Sequence, residues 1–242
     1  MKDLSAVSVA PQMRRQWQHD GAAPRLFSNM AAREFDRLVD CATELELPAG
    51  QMLISEGLCP NYLHVLMDGT VELFIRRGRR ESSVALIEND TPFVIAAVVK
   101  DAPYLMSART VTDARILCLS APLFRAAMRR DNGLALATAS ALSDAYRLVV
   151  RQLRSHRLHS AQMRLAHYLV GLHNKKPGAH TVHLDITKRR LASLLGLKPE
   201  SLSRLFANLN EYGVHVEGEW VTVTDFQLLE DLAQYDPNLD TE

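Results

Sequence analysis

The chain lacks an apolar run long enough to cross a bilayer. Its most continuous stretch, Phe93 to Val99, falls far short of the roughly 20 residues a membrane-spanning helix needs. From Met1 to Gly21, Asp3, Arg14, Arg15 and Asp20 interrupt short apolar pieces, so no signal-peptide core is expected. Cysteine is scarce: Cys41, Cys59 and Cys118 stand far apart with no CxxC. That excludes a disulfide framework and a structural zinc site and leads us to expect a reducing, cytoplasmic setting with no membrane partner. Nucleophile elbow, P-loop, HExxH and acid pair are also missing, so no enzyme is expected. What is present, 47% hydrophobic and 23% charged residues over 242 positions, is ordinary globular material with room for two modest cores.

Net charge is lacking too, with 28 basic residues against 28 acidic ones, but the signs are separated along the chain. Between Ser160 and Gly213 eight basic residues (Arg164, Lys175, Lys176, Lys188, Arg189, Arg190, Lys198, Arg204) face three acids (Asp185, Glu200, Glu211). From Val214 onward there are eight acids and no Lys or Arg. Arg147, Arg151, Arg154 and Arg157 recur at helical spacing. Such a stripe suits either a phosphate backbone or a merely solvated helix face.

Residues 1–24 show no periodicity and read as a flexible arm. A helix is expected over Ala31–Ala42, with Ser28 as its N-cap. From Leu45 to Leu119 short β-type runs alternate with glycine or proline: ELELPAG, QMLISEG, YLHVLMDG, TVELFIRRG, ESSVALIEND, PFVIAAVV, ARTVTD, ARILCLS. That rhythm predicts a sandwich or barrel. Pro122 opens a helical region, and Asp131 to His159 reads as one long helix. Leu142, Val149 and His156 fall seven apart, flanked by Ala145, Tyr146, Gln152 and Leu153. This imperfect heptad seam fits a two-helix dimer contact, or a helix packed on its own β-domain. The last segment predicts a helix from Ser160, a strand TVHLDI, two helices, two strands around a Glu217-Gly218 turn, and a final helix capped by Asp225.

The densest information lies in TKRRLASLLGLKPESLSRLFANL, residues 187–209. A helix-turn-helix needs a small residue where its helices cross, a glycine in the turn and apolar residues on the facing sides. Ala192 and Gly196 supply the first two, and Leu191, Leu195, Leu197, Leu202 and Leu205 supply the third. Thr187 suits the first N-cap and Pro199 the first turn of the second helix. Glu200, Ser201, Ser203, Arg204 and Asn208 are left facing outward. Glu200 and Arg204 could form a simple i,i+4 ion pair. In a major groove they would instead read a cytosine amino group and guanine O6/N7, with Ser203 beside them. A glutamate among Lys188, Arg189, Lys198 and Arg204 makes more sense as a base reader than as a backbone contact. The candidate DNA-binding residues are thus Thr187, Lys188, Arg189, Lys198, Glu200, Ser201, Ser203 and Arg204.

A β-rich domain, a long helix and a winged helix-turn-helix containing LKPESLSRL resemble the CRP/FNR family of bacterial transcription regulators. The similarity runs over about residues 25–235, and E-S-L-S-R is similar to the E-T-x-S-R signature of its FNR and Dnr branches. Pro199 stands where the cyclic-AMP receptor branch usually has arginine. The resemblance implies an α+β fold in four parts: the arm (1–24), a cyclic-nucleotide-type β-roll of jelly-roll kind as effector domain (25–125), a dimerisation helix (126–159) and the winged helix-turn-helix (160–242). It further implies a homodimer on a palindrome of TTGA-type half-sites in double-stranded DNA, and contact with RNA polymerase.

Nucleotide-binding relatives carry a Gly-Glu pair and an Arg-Ser pair. The corresponding stretches here are Phe93-Val94-Ile95-Ala96 and Met106-Ser107-Ala108, which lack both charges, with Arg109 as the sole nearby substitute. Cyclic AMP is therefore not expected. Residues 1–40 contain no cysteine, which excludes the cluster-ligating N-terminal cysteines of iron–sulfur members. DAPYLMSARTV and the segment after it resemble the Dnr branch, where haem is the proposed nitric oxide sensor. His64, His19, Met67, Met106 and Cys118 are the available haem ligands here. Cys59 and Cys118 could alternatively act as redox switches, or the sensor could be degenerate. The competing reading is a small-molecule binding protein whose helix-turn-helix is vestigial.

Overall fold

The computed structural model describes residues 6–8, 17, 23–78, 80–88, 90–175, 180–236 and 239. The chain divides into two compact units, Met1–Ala145 and Tyr146–Glu242.

The first unit contains strand β1 (Ala6–Ser8), helix α1 (Ala32–Asp40), and strands β2 (Thr43–Leu47), β3 (Met52–Ile54), β4 (Tyr62–Asp68), β5 (Val71–Arg77), β6 (Arg80–Ile87) and β7 (Thr91–Phe93). Helix α2 (Ile95–Lys100), strands β8 (Ser107–Thr110) and β9 (Ala114–Ser120), helix α3 (Ala121–Met128) and the long helix α4 (Asn132–Leu158) follow. Two antiparallel sheets form, ordered β1-β2-β9-β4-β7 and β3-β8-β5-β6, so the expected β-domain is present.

Strand alternation sorts β4 and β9 into two faces. Leu63 and Val65 pair with Leu119 and Leu117 and join the core formed with Phe35, Leu38, Val98, Phe124 and Leu134 of the helices. His64 and Leu66 pair with Cys118 and Ile116 on the opposite face, and all four are buried.

Three expectations need correction. Residues 1–24 are not wholly a free arm. Ala6–Ser8 pairs with β2, and Trp17 is buried edge-on against Phe35; the remaining residues up to Ala22 lie outside those described. Ser28 does not cap α1: its hydroxyl donates to the Arg25 carbonyl, and Ala31 holds the N-cap position. The cap comes from Asp131, whose Oδ2 accepts from the Ala31 N–H at 2.8 Å while Oδ1 accepts from Leu134 N–H at 2.7 Å. One buried carboxylate thereby ties the start of α1 to the start of α4. Gly133 permits the approach, since a Cβ there would sit 1.8 Å from the Asn29 carbonyl oxygen.

PFVIAAVV is not one strand. It splits at Val94, which adopts φ 52°, into β7 and α2. A short apolar run fits a buried helix as well as a buried strand, and here the helix packs on α3 and β4. The division between the two units falls within α4, at Ala145/Tyr146.

Beyond that point α4 exposes Tyr146 (70%), Val149 (56%) and Leu153 (52%). With Leu142 and His156 they follow each other at alternating spacings of four and three, a more continuous apolar seam than the heptad of Leu142, Val149 and His156 alone. The second unit continues with α5 (Ala161–Asn174), β10 (Thr181–His183), α6 (Lys188–Leu194), α7 (Pro199–Leu209), β11 (Val214–Glu217), β12 (Trp220–Val223) and α8 (Phe226–Ala233). The strands form an antiparallel sheet ordered β10-β12-β11. Glu217 pairs with Trp220, so the wing turns on Gly218-Glu219 rather than Glu217-Gly218. Asp225 caps α8 as expected, accepting from Leu228 N–H at 3.0 Å.

Burial pushes the His64 imidazole down from 6.5 to about 4, so the folded chain keeps it neutral while the unfolded chain takes up a proton near pH 6.5. The associated stability is complete above that pH and is lost as pH falls toward 4, by linkage roughly 3 kcal/mol in all. A His64→Leu variant should have an unfolding free energy less sensitive to acidification, by roughly 2 kcal/mol between about pH 7 and pH 5. Urea titrations at the two pH values measure it, and an unchanged difference would show that His64 does not titrate this way.

Candidate nucleic-acid interface

Thr187 begins α6 as its N-cap, with its Oγ1 accepting from Arg190 N–H. The helix ends in a Schellman arrangement: Gly196 N–H donates to Ser193 and Leu197 N–H to Ala192, with Gly196 at φ 68°. That left-handed position favours glycine. Lys198 is the N-cap of α7, and Pro199 starts the helix where its missing N–H costs nothing.

Leu191, Ala192, Leu195 and Leu202 are buried as the spacing implies. Leu197 and Leu205 are only half-buried, and Phe206 and Leu209 complete the inward face. Sequence spacing missed those two, although the i, i+4 and i+7 positions from Leu202 pick them out.

With that face committed, Glu200, Ser201, Ser203, Arg204 and Asn208 are all exposed on α7. Thr187, Lys188 and Arg189 are exposed at the start of α6 and Lys198 at the N-cap of α7, so the eight proposed DNA contacts are all accessible. Glu200 and Arg204 form no ion pair in the structure, which leaves both groups free to meet a ligand. Ser203 Oγ donates to the Pro199 carbonyl at 3.2 Å, keeping its lone pairs outward as acceptors. The Lys188 ammonium lies 5.8 Å from the centroid of the Phe206 ring, a cation–π contact that steadies it beside the exposed face. The wing has the opposite sign, with Glu217 and Glu219 exposed around Trp220.

In the first unit the geometry does not suit a cyclic phosphate. Ile95 and Ala96 open α2, and Met106 to Ala108 carry no charge. Arg109 donates to Glu72 and Glu81, both at 2.8 Å, and lies over the Phe74 ring at 4.3 Å. Glu72 is 2% exposed and also holds the Ser83 hydroxyl. Moving Arg109 to a phosphate would strand a buried carboxylate, at a cost of several kcal/mol. The pairing also fixes direction: Glu72 is opposite Arg109, whereas Leu73 is opposite Ala108 on the other face.

Among the haem-ligand candidates, His64 fits best on donor chemistry. Its imidazole is buried and neutral, Nδ1 has no hydrogen-bond partner, and Phe93 stacks on it at 5.5 Å. The Cys118 thiol is pushed up to about 12 by burial, so it stays protonated and is a poor ligand. Met67 and Met106 are half-buried, and His19 lies outside the described residues. No group of three or more His, Cys, Asp or Glu among the described residues is arranged to hold a metal ion, and no described helix is long and apolar enough to cross a membrane.

Comparisons with known proteins agree with both units. The Crp-like helix-turn-helix domain matches residues 163–232, and the cyclic nucleotide-binding domain matches residues 44–131. A regulatory protein from Silicibacter pomeroyi DSS-3, whose name proposes cAMP binding, is 27% identical, with 88% of this chain and 98% of that one covered and a TM-score of 0.57. FixK2 from Bradyrhizobium japonicum shares the fold at 18% identity, covering 81% and 98% with a TM-score of 0.69. So does a regulator from Eubacterium rectale ATCC 33656, proposed for the CRP/FNR family, at 16% identity, 89% and 100% coverage and a TM-score of 0.72. No curated protein sequence matches the chain.

The Arg109 pairing predicts that millimolar cyclic AMP will leave the thermal midpoint unchanged to within about 1 °C, because a ligand that binds the folded state must raise it. A clear rise in differential scanning fluorimetry would show that the Glu72–Arg109 pair yields to phosphate.

Proposed function

The chain belongs to the CRP/FNR family of transcription regulators, and on that premise we propose that it is a homodimer reading a palindromic TTGA-type site through α7. The observation that carries this reading is the exposed, unpaired Glu200–Arg204 couple on a helix whose other face is fully committed. A carboxylate facing DNA is unfavourable unless a base donor meets it, and the cytosine amino group is such a donor. The side-chain caps on α5, α6 and α8 and the ordered turn argue against a vestigial module.

The second copy is supported by the apolar seam on α4, where Tyr146, Val149 and Leu153 are exposed side chains of a kind that two-stranded coils bury. In this reading two α7 helices enter successive major grooves about one helical turn apart. Lys188, Arg189 and Lys198 supply phosphate contacts, with Thr187 and Ser201 beside them. RNA polymerase is the further partner that family membership suggests.

For the input we infer nitric oxide sensed through haem, with His64 as the residue that would hold it. Bound haem would supply the iron that takes up nitric oxide. The protein's part is a neutral imidazole with a free Nδ1 in apolar surroundings, the protonation state an iron ligand requires.

A TTGAT-N4-ATCAA duplex compared with scrambled DNA at moderate salt tests the output. Arg204→Ala should weaken specific binding by about 1–3 kcal/mol, while Lys188→Ala or Lys198→Ala should chiefly flatten the salt dependence. A wild type that does not discriminate between the duplexes rejects the DNA-reading proposal for this site. Haem reconstitution tests the input: the wild-type absorption spectrum should differ from that of free haem and respond to nitric oxide, and His64→Leu should abolish the difference. A variant spectrum matching the wild type removes His64 from this role.

A further inference from the structure

The second unit contains a junction that none of the family motifs draws attention to. Helix α4 ends at Leu158, and His159 N–H makes its last helical bond, to Ser155 at 3.0 Å. The next helix, α5, starts from Ser160, whose Oγ accepts from Met163 N–H. One residue further on, Arg164 turns its guanidinium back across the junction. Its Nη1 donates to the His159 carbonyl at 3.0 Å, and its Nε donates to the Leu195 carbonyl at 3.3 Å. His159 is the residue after the last turn of α4, and Leu195 is the C-cap of α6.

Carbonyls at helix C-termini have no partner within their own helix, and the negative end of the helix dipole lies there. One cation therefore serves the C-termini of two different helices. A planar guanidinium with several fixed N–H donors can do this, whereas a lysine ammonium is a single point. The contact is reinforced directly alongside. A Cβ added at Gly196 would come within 3.1 Å of His156 Cε1, so the last turn of α4 rests against the turn from which α7 departs two residues later.

We propose that Arg164 is a positioning residue for DNA reading: it clamps the C-terminal end of α4 to the α6–α7 turn and thereby sets the direction in which α7 presents Glu200, Ser203 and Arg204. Arg164 itself touches no base. It is half-buried behind the helix-turn-helix, and its effect on DNA passes through the Leu195 carbonyl. A displacement of the last turn of α4 is carried to the turn without slack, because the guanidinium and the His156–Gly196 contact hold it at two points. This inference rests on the reading that α7 recognises DNA, and its test separates the two.

Arg164→Lys, which keeps the charge, and Arg164→Met, which keeps the stem, are compared with wild type for binding to the palindromic and scrambled duplexes. Both variants should lose roughly tenfold in discrimination, the equivalent of one charge-assisted hydrogen bond. Binding to scrambled DNA should change by no more than about threefold, since a single cation is at stake. Full discrimination in Arg164→Lys overturns the clamp, and so does an equal fall on both duplexes.

Amide hydrogen exchange supplies a readout independent of DNA. Gly196 and Leu197 should exchange roughly tenfold faster in both variants while Val221 and Val223 of the wing keep their wild-type rates. Unchanged exchange at the turn, or a uniform rise throughout the unit, refutes the proposal. Should the wild type fail to discriminate between the duplexes, the DNA reading falls, and the exchange data alone decide whether the clamp exists.

Discussion

Everything the exposed face of α7 can do depends on where Leu202, Phe206 and Leu209 go. These three side chains lie on one stripe of α7 and are buried. Truncating any one of them would cost about 2–5 kcal/mol, the usual range for a core residue of this size. Because that stripe has only one place to go, the rotation of α7 about its own axis is fixed. Glu200, Ser203 and Arg204 then point to solvent as a consequence. A rotation of α7 by a third of a turn would bury Arg204 without a partner, which is far more costly than any gain in packing. The exposed face of α7 is thus specified by hydrophobic burial, and its polar residues are free to be chosen for chemistry.

Charge in the first unit follows a different logic. Glu72 is taken out of water and must be paired. Arg109 pairs it, and Glu81 shares the same guanidinium. The network stands on the sheet face opposite Leu73, Ala85 and Ala108, so it leaves that other face apolar. The titratable groups found among the buried residues of β4 and β9 are His64 and Cys118, and burial holds both neutral. A phosphate drawing on Arg109 would therefore have to break this pairing, whereas a neutral donor in apolar surroundings is what a softer, uncharged input would need.

Much of this was legible in the sequence because the signals were local. The helix-turn-helix depends on residues within about two turns of each other: Thr187 with Arg190, Ala192 with Leu197, Lys198 with Pro199. The β-runs were visible for the same reason, since strand alternation and turn glycines repeat at short range. What could not be read was set by distance along the chain. The cap on α1 comes from Asp131, 100 residues away, while the adjacent Ser28 offered a plausible local answer that the structure does not use. Trp17 sits against Phe35 in a segment with no periodicity to announce it. The α2 helix hid inside PFVIAAVV because a short, wholly apolar run has no polar face to reveal its period. Arg164 looked like one more basic residue in a basic region, and only the two carbonyls it reaches distinguish it.

Asp131 and Arg164 share a further property: each acts on an end of α4. The helix is 27 residues long, which at helical rise is about 40 Å. At its start Asp131 places a carboxylate against the first N–H groups, and just past its end Arg164 places a guanidinium on the His159 carbonyl. Both charges have the sign that complements the dipole end they meet, and both reach beyond the helix, to Ala31 in the first unit and to Leu195 in the second. A helix fastened this way has little freedom to fray at either terminus. It carries no proline and passes through the boundary between the units. Each end is therefore held by contacts made within its own unit, and losing either side chain would return that end's N–H or carbonyl groups to water, the state in which helix ends fray.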